Sequence, residues 1–277
     1  NVHVTGYSTN AAANFDFTTV KYKNDGTKIW KKIFNGGANG HDAGNDLALD
    51  PNGNVFVAGY SNNAAGNEDY LLLKYDANGV LLWNARYNGP GSGTDVAHDV
   101  AADESGNAYV TGSSANAAAN RDYATHKYNA AGVKQWTARY NGPASSDDEA
   151  RRVLVDGSGN VFVTGNSFGG ATNHDFATVN YNSAGVQQWV RRQNGAASGA
   201  DLAVDMALEP SGNLYVTGAS RNAAGNEDFY TLKYSPIIPS IAASFALAGQ
   251  QLAVEKSTAL APEKFEELFA ELKKAGT

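Results

Sequence analysis

The sequence predicts an all-β fold, a β-propeller of about five four-stranded antiparallel blades with a short C-terminal helical tail. One observation behind this prediction is an internal repeat, because matching landmarks recur at a spacing of 53 residues. Another is that each copy holds several short segments of alternating apolar and polar residues, which is typical of β-strands. A repeat of this length without helical periodicity is in turn typical of a propeller blade. The landmarks are Trp30, Trp83, Trp136 and Trp189, then Tyr22, Tyr75, Tyr128, Tyr181 and Tyr234, and then Gly6, Gly59, Gly112, Gly165 and Gly218.

The repeats divide the chain into a propeller domain, residues 1–235, and a tail, residues 236–277. The chain opens on a second strand and the pattern stops after a third, so we expect 18 strands, two short of five complete blades. The tail or flanking sequence would then have to supply the missing pair, because closed rings remove exposed strand edges. The copies span 1–53, 54–106, 107–159 and 160–212, with a partial copy at 213–235.

Each full copy is predicted to form four short strands, and the second copy illustrates the assignment. Its innermost strand is "LALD" at 47–50, and the next three strands lie at 54–61, 70–75 and 81–87. The turns "PNG" and "DANG" between them end in glycine, which tight hairpins use because glycine adopts positive φ without strain.

The third and fourth copies carry a more specific signal. The text "DYATHKYNAAGVKQWTARYNGP", followed by "LVDGSGNVFVTGNS", resembles the bacterial SBBP family of β-propeller repeats. The resemblance extends over all four full copies. It implies a toroid of four-stranded blades, and it implies little about activity, because propellers serve as enzymes, lectins and passive scaffolds alike.

Loop length separates the two rims of the predicted propeller. The turns after the first and third strands of a blade are tight, and they share one rim. The other connections, such as 61–69 and 88–98, are long and lie together on the opposite rim. Long loops on a rigid frame commonly carry binding residues, so we expect any ligand at this long-loop rim.

Two series of acidic residues recur on the long-loop side. Carboxylate oxygens that converge on a ring suit a hard cation such as calcium. The same residues also suit a structural role, because Asp in such loops accepts hydrogen bonds from backbone N–H groups. Both interpretations stay open at this point. The candidates are Asp16, Asp69, Asp122, Asp175 and Asp228 in one series, and Asp42, Asp95, Asp148 and Asp201 with Asp46, Asp99 and Asp205 in the other.

An enzyme on a repetitive ring needs residues that differ between copies, because catalysis is an asymmetric task on a pseudo-symmetric frame. Arg151 and Arg152 are the main such residues, and Arg152 breaks the inner part of the second aspartate series. The five histidines do not share one register, which argues against a repeated metal site. The sequence has no Gly-x-Ser-x-Gly elbow, phosphate loop or HExxH motif.

The tail permits two interpretations. Residues 240–257 favour a helix by composition, yet their text "QLAVEKS" resembles the innermost strands and would offer a closing strand. Residues 262–276 predict a helix, with Pro262 in the first turn and Gly276 at the end. Its apolar stripe suits docking on the propeller or contact with another chain.

Composition narrows the function classes. The chain has no cysteine, which excludes a disulfide framework and cysteine-ligated zinc, and its net charge of −7 argues against nucleic-acid binding. No apolar stretch reaches the roughly 20 residues of a membrane helix. We therefore expect a non-catalytic binding or scaffolding module, extracellular or in the cell envelope, that contacts protein or glycan through the long-loop rim. Two alternatives are a glycan-acting hydrolase or lyase that uses rim carboxylates, and a structural element that self-associates through blade edges or the C-terminal helix.

Overall fold

A computed structural model of the chain describes residues 1–171, 173–195, 197 and 199–235. The predicted helical tail lies outside these described residues. Residues Asn1–Ser235 form one compact unit. Within the described part the fold is all-β, and no helix there is long and apolar enough to cross a membrane.

The described residues form 18 strands in five antiparallel sheets, which we number blade 1 to blade 5 along the chain. Blades 2, 3 and 4 have four strands, whereas blade 1 lacks the first strand and blade 5 lacks the last. Blade 1 holds β1 (Val2–Thr9), β2 (Phe15–Tyr22) and β3 (Lys28–Phe34). Blade 2 holds β4 (Asp42–Leu49), β5 (Val55–Asn62), β6 (Glu68–Tyr75) and β7 (Leu81–Tyr87). Blade 3 holds β8 (Asp95–Ala102), β9 (Ala108–Ala115), β10 (Arg121–Tyr128) and β11 (Lys134–Tyr140). Blade 4 holds β12 (Asp148–Val155), β13 (Val161–Phe168), β14 (His174–Tyr181) and β15 (Gln187–Gln193), and blade 5 holds β16 (Asp201–Leu208), β17 (Leu214–Arg221) and β18 (Glu227–Tyr234).

Tight turns join the first two strands of each complete blade. In blade 2 the Asp50 carboxylate accepts the N–H groups of Asn52 and Asn54 at 2.9 and 3.0 Å, and Gly53 adopts a φ of 77°. A residue with a side chain would be strained there, which explains why each copy has a glycine at this position.

Apolar side chains pack each blade against the next. Phe17 and Trp30 of blade 1 pack against Val55, Val57 and Leu73 of blade 2, and all five are buried. Equivalent clusters join the later blades. Burial is therefore continuous from blade to blade, and blades 2, 3 and 4 have a neighbouring sheet on both faces.

The tryptophan series ties neighbouring blades together by polar contacts as well. The indole N–H of Trp30 donates to the carbonyl of Ala77 at 3.3 Å, and that of Trp83 donates to Ala130 at 3.1 Å. Buried indoles need such a partner, so the same side chain supplies apolar area and a directional bond to the next blade.

The first strands of blades 2 to 5 lie next to one another and mark the inner edge of the sheets. These strands begin earlier than the sequence predicts, at Asp42 rather than Leu47 in blade 2. Each of them also contains a β-bulge, because the pairing with the second strand skips one residue. The extension places the second aspartate series on strands rather than in loops.

Candidate functional site

The first position of each inner strand is a fully buried aspartate, namely Asp42, Asp95, Asp148 or Asp201. The Asp95 carboxylate accepts the N–H of Gly89 at 2.7 Å and that of Ala115 at 3.0 Å. Asp148 makes the equivalent pair of bonds. Burial raises the pKa of Asp95 and of Asp148, although these donors act in the opposite direction. The series thus fixes the loop before each inner strand to the neighbouring hairpin.

The other predicted aspartate series lies at the second residue of β2, β6, β10, β14 and β18. In blade 3, Asp122 pairs with Arg139 at 3.0 Å and accepts a hydrogen bond from the Asn116 side chain at 2.8 Å. Arg139 also donates to the Ser114 carbonyl at 2.8 Å. Asp16 and Asp228 keep the asparagine contact. The equivalent ion pairs in blades 2 and 4 are Asp69–Arg86 at 3.4 Å and Asp175–Arg192 at 2.9 Å.

Asparagine side chains tie the two long loops of a blade to each other. The amide of Asn67 in the β5–β6 loop donates to the carbonyl of Ser92 in the β7–β8 loop at 2.9 Å. Asn14 and Asn120 make the same contact in blades 1 and 3. Together with the aspartates, these bonds give the long-loop rim a repeated polar frame.

The calcium prediction for this rim stays a prediction. Within the described ranges, no group of three or more His, Asp or Glu side chains is arranged to hold a metal ion.

The β-bulges place one chemically distinct residue per blade near the same rim. The skipped residues, which we call the bulge column, lie three positions after each buried rim aspartate. A bulged residue has no ladder partner and is re-aimed relative to the sheet, which is why bulges recur beside binding sites. The bulge column consists of Asn45, His98, Arg151 and Val204.

A cleft of about 320 Å³ opens at three of these bulges, and we call it the bulge cleft. One wall is polar and carries His98, Arg151, Arg152 and Asn166. Residues 202–204, which are apolar, form the other wall. Asn166 joins the two walls, because its side-chain oxygen accepts the N–H of Ala203 at 2.8 Å.

Glu149 organises the cationic side of the bulge cleft. It lies 2.9 Å from Nε2 of His98 and 2.9 Å from Nη2 of Arg151. Burial opposes ionisation of Glu149, but the contacts with His98 and Arg151 outweigh it and hold the pKa of Glu149 below its ordinary value. Glu149 therefore stays ionised and positions the side chains of His98 and Arg151, which differ from their counterparts in the other copies.

Arg152 links the acidic residues on either side of it. Its guanidinium lies 3.2 Å from Asp99 and 3.1 Å from Asp205. Asp99 also accepts the N–H of Val153 at 2.6 Å. Burial, followed by the neighbouring Asp46 carboxylate, raises the pKa of Asp99 well above its ordinary value, against the pull of Arg152.

The structure thus brings together only part of the predicted site. Arg151 and Arg152 line the bulge cleft, and Asp99 and Asp205 contact it only through Arg152, whereas the rim aspartates form the frame beside it. His98, Glu149 and Asn166 were not singled out as site residues from the sequence. Each of the three differs from its counterparts in the other copies, although the strands around it match. Only His98 belongs to the bulge column, and its position became clear from the pairing register.

The cleft places the guanidinium groups of Arg151 and Arg152 near apolar residues. Two arginines with internal partners still have free capacity, because a guanidinium carries five N–H donors in a planar fork. This fork matches a carboxylate. The apolar wall would cover the non-polar face of the same ligand.

The chain matches one family model. Residues 29–65, 84–117 and 135–177 match the SBBP β-propeller repeat. No curated protein matches the chain.

Solved structures with low sequence identity are similar to this chain. One is a crystal structure of a protein of unknown function from Dyadobacter fermentans DSM 18053, with a TM-score of 0.51, 12% identity, and coverage of 79% of this chain and 68% of that chain. Another is the subtype N11 neuraminidase-like protein of A/flat-faced bat/Peru/033/2010 (H18N11), with a TM-score of 0.42, 8% identity, and coverage of 79% and 68%. At 12% identity, the first similarity concerns the fold alone.

Proposed function

Since three segments of the chain match the SBBP β-propeller repeat, we propose that it is a non-catalytic binding module whose recognition surface is the bulge cleft beside the long-loop rim. The observation that carries the proposal is the convergence of His98, Arg151 and Arg152 on one cleft. A repeat that only needs to fold has no use for three different polar residues at equivalent or adjacent positions. The extracellular or cell-envelope location expected from the sequence stays part of this proposal.

The chemistry of the cleft favours a ligand that carries a carboxylate. The exposed guanidinium of Arg151 has only Glu149 as its ion-pair partner within the described residues, so donors are left for a second carboxylate. Uronic acids of glycans and acidic side chains of proteins both offer this group. The shared recognition element is therefore a carboxylate next to a flat apolar surface.

Isothermal titration of the full chain with two acidic probes tests the proposal. Trigalacturonic acid represents the glycan source, an acetylated tetra-aspartate peptide the protein source, and neutral galactotriose is the uncharged control. We expect at least one acidic probe to bind, and Arg151→Ala to weaken that binding at least fivefold. Arg191→Ala, which removes an arginine over the Trp189 ring outside the cleft, is the matched control and should bind as wild type.

Equal binding of galactotriose and trigalacturonic acid, or unchanged binding by Arg151→Ala, would contradict the carboxylate assignment. Absence of binding by every probe would contradict it as well.

The hydrolase or lyase alternative has a separate test. The rim aspartates Asp42, Asp95, Asp148 and Asp201 are buried behind backbone donors, which leaves them poorly placed to reach a glycosidic bond. We expect no release of reducing ends or unsaturated products from a panel of acidic and neutral polysaccharides. Turnover that is lost in Asp99→Asn or Arg151→Ala would replace the binding module by an enzyme.

A further inference from the structure

The last described sheet presents an uncovered apolar face. Phe229 of β18 has 82% of its surface exposed. The four residues at the same register in the other blades are at most 2% exposed, because each inserts its ring into the following blade. These residues are Phe17, Tyr70, Tyr123 and Phe176. Blades 2 to 5 each cover one face of the sheet before them. Among the described residues, none covers the corresponding face of blade 5.

The first sheet presents the opposite face, also uncovered. Val4 of β1 is 50% exposed, and its equivalents Val57, Val110, Val163 and Val216 are at most 2% exposed. Val2 is 52% exposed on the same face. Ile33, which pairs with Thr18 on this face, is 54% exposed and stands where blades 2 to 4 have arginine. An arrangement of three exposed branched side chains on one sheet face is typical of a contact surface.

The two faces are the two halves of the interface that already joins the blades. Inside the molecule, Phe17 of blade 1 packs against Val55 and Val57 of blade 2. Phe229 has the register of Phe17, and Val2 and Val4 have the registers of Val55 and Val57. The blade 5 face with Phe229 and the blade 1 face with Val2 and Val4 are therefore complementary, because the repeat joins equivalent faces inside the molecule.

A hydrogen bond from a lysine also joins consecutive blades. Lys21 donates to the carbonyl of Ala77 in the next blade at 2.8 Å, and Lys74 donates to the carbonyl of Ala130 at 3.2 Å. Lys233 occupies this lysine register in blade 5. The residue at the accepting register in blade 1 is Asn24, whose backbone carbonyl offers the same acceptor.

We propose that blade 5 of one molecule docks onto blade 1 of a second copy of this chain, with Phe229 of one copy against Val2 and Val4 of the other. The contact is heterologous, so each added copy leaves one blade 1 face and one blade 5 face free. Association then proceeds head to tail, and the average mass rises with concentration. This assembly uses a surface distinct from the bulge cleft and is independent of the proposed ligand.

The test is sedimentation velocity of the full chain over a hundredfold range of concentration. Phe229→Glu disables the blade 5 face, and Val4→Glu disables the blade 1 face. Each variant alone is expected to stay monomeric, because every productive contact needs one intact face of each kind. An equimolar mixture of the two is expected to form a dimer and nothing larger, since each variant contributes the face that the other lacks.

Val133→Glu is the matched control, because Val133 is 58% exposed in a turn of blade 3 that lies on neither face. It should assemble as wild type. Circular dichroism checks that each variant folds, and Ile33→Glu disables the blade 1 face by a second route if Val4→Glu does not. A wild-type chain that stays monomeric throughout the concentration range would overturn the proposal. So would association that survives both substitutions, or a mixture that stays monomeric.

Discussion

Individual buried side chains show where this repeat departs from its own pattern. His126 occupies the register that holds Leu73 in blade 2 and Val179 in blade 4, and all three are fully buried. The imidazole lies between Tyr70 and Tyr87, and its Nδ1 lies 3.0 Å from the hydroxyl of Thr137. Burial, with smaller effects from Lys134 and Arg139, lowers the pKa of His126 to about 3. A neutral histidine therefore serves as a core residue in blade 3.

Replacing His126 should remove an acid sensitivity of the fold. In the folded state the ring stays neutral down to a pH of about 3, whereas in the unfolded chain it takes up a proton below its ordinary pKa of 6.5. The contribution of the neutral His126 ring to the free energy of unfolding is therefore fully present above pH 6.5. It is lost as the pH falls below that value, by about 2 kcal/mol at pH 5. His126→Val, which copies Val179, should lose less stability than wild type between pH 7.5 and pH 5 in urea unfolding. If His126→Val and the wild type lose the same free energy of unfolding between pH 7.5 and pH 5, the assignment is contradicted.

The buried rim aspartates should stabilise the fold. Asp95→Asn puts an amide N–H₂ where one carboxylate oxygen accepts a backbone N–H, so two donors would face each other at Gly89 or Ala115. We expect a loss of about 1–3 kcal/mol in the free energy of unfolding. Asp228→Asn is the control, since Asp228 belongs to the exposed rim of blade 5, and its effect should be smaller. Equal effects of the two substitutions would show that the bonds of Asp95 contribute little.

At the scale of the element, the inner strand differs most from the sequence prediction. The apolar text "LALD" starts the predicted strand at Leu47, and Gly44 and Asn45 before it are poor strand formers. In the structure the segment 42–46 is strand, since the Asp42 carboxylate holds its start and β5 supplies a ladder on both sides of the bulge. Propensity is a local quantity, whereas the pairing that decides this segment comes from a neighbouring strand.

The outer strands connect neighbouring blades through an arginine and a tyrosine. Arg139 of β11 donates to the Tyr87 hydroxyl of β7 at 3.1 Å. Arg192 of β15 makes the equivalent contact with Tyr140 of β11, also at 3.1 Å. The pair thus links consecutive sheets near the long-loop rim, outside the apolar clusters.

A double-mutant cycle should measure this link. Tyr87→Phe is expected to cost about 1 kcal/mol in the wild-type background, because one hydrogen bond to a charged donor is lost. The same substitution should cost almost nothing when Arg139 is already replaced by Gln. Tyr140→Phe in the Arg139→Gln background is the control and should keep its full effect, since its partner is Arg192. Additive effects of Tyr87→Phe and Arg139→Gln would mean that the hydroxyl and the guanidinium are not coupled.

At the scale of the whole molecule, burial is greatest in the middle of the stack. Blades 2, 3 and 4 have a neighbour on both faces, whereas blades 1 and 5 each have three strands and one exposed face. In a linear array each unit is stabilised by its neighbours, so the end units are the least stable. The fold should therefore open from its ends.

Hydrogen exchange at low protein concentration should follow this order. We expect the amides of β9 and β10 to be the most protected, and those of β1 and β18 to exchange first, since local opening there breaks one interface instead of two. Mass spectrometry of peptides from each strand measures the gradient. Uniform protection from β1 to β18 would show that the sheets unfold as a single cooperative unit.

The sequence predicted the repeat, the number of strands and the incomplete first and last blades, because spacing and alternation report directly on strands. It could not predict the bulge cleft. The bulge depends on a pairing register that skips one residue, and Arg151 and Arg152 look alike in the text although only Arg151 lacks a ladder partner. The exposure of Phe229 could not be predicted either, because the residues around it match those around the buried Tyr70. What separates them is the presence of a following blade, which is a property of the molecule and not of the residue.

The bulge column has a consequence for protein engineering. Asn45, His98, Arg151 and Val204 differ in charge, size and polarity, yet the strands around them keep one geometry. A combinatorial library randomised at these four codons would change the chemistry of the bulge column without altering the hydrophobic packing between sheets. The scaffold would then behave as a display frame, in which new specificities are selected by four substitutions while thermal stability is inherited from the parent.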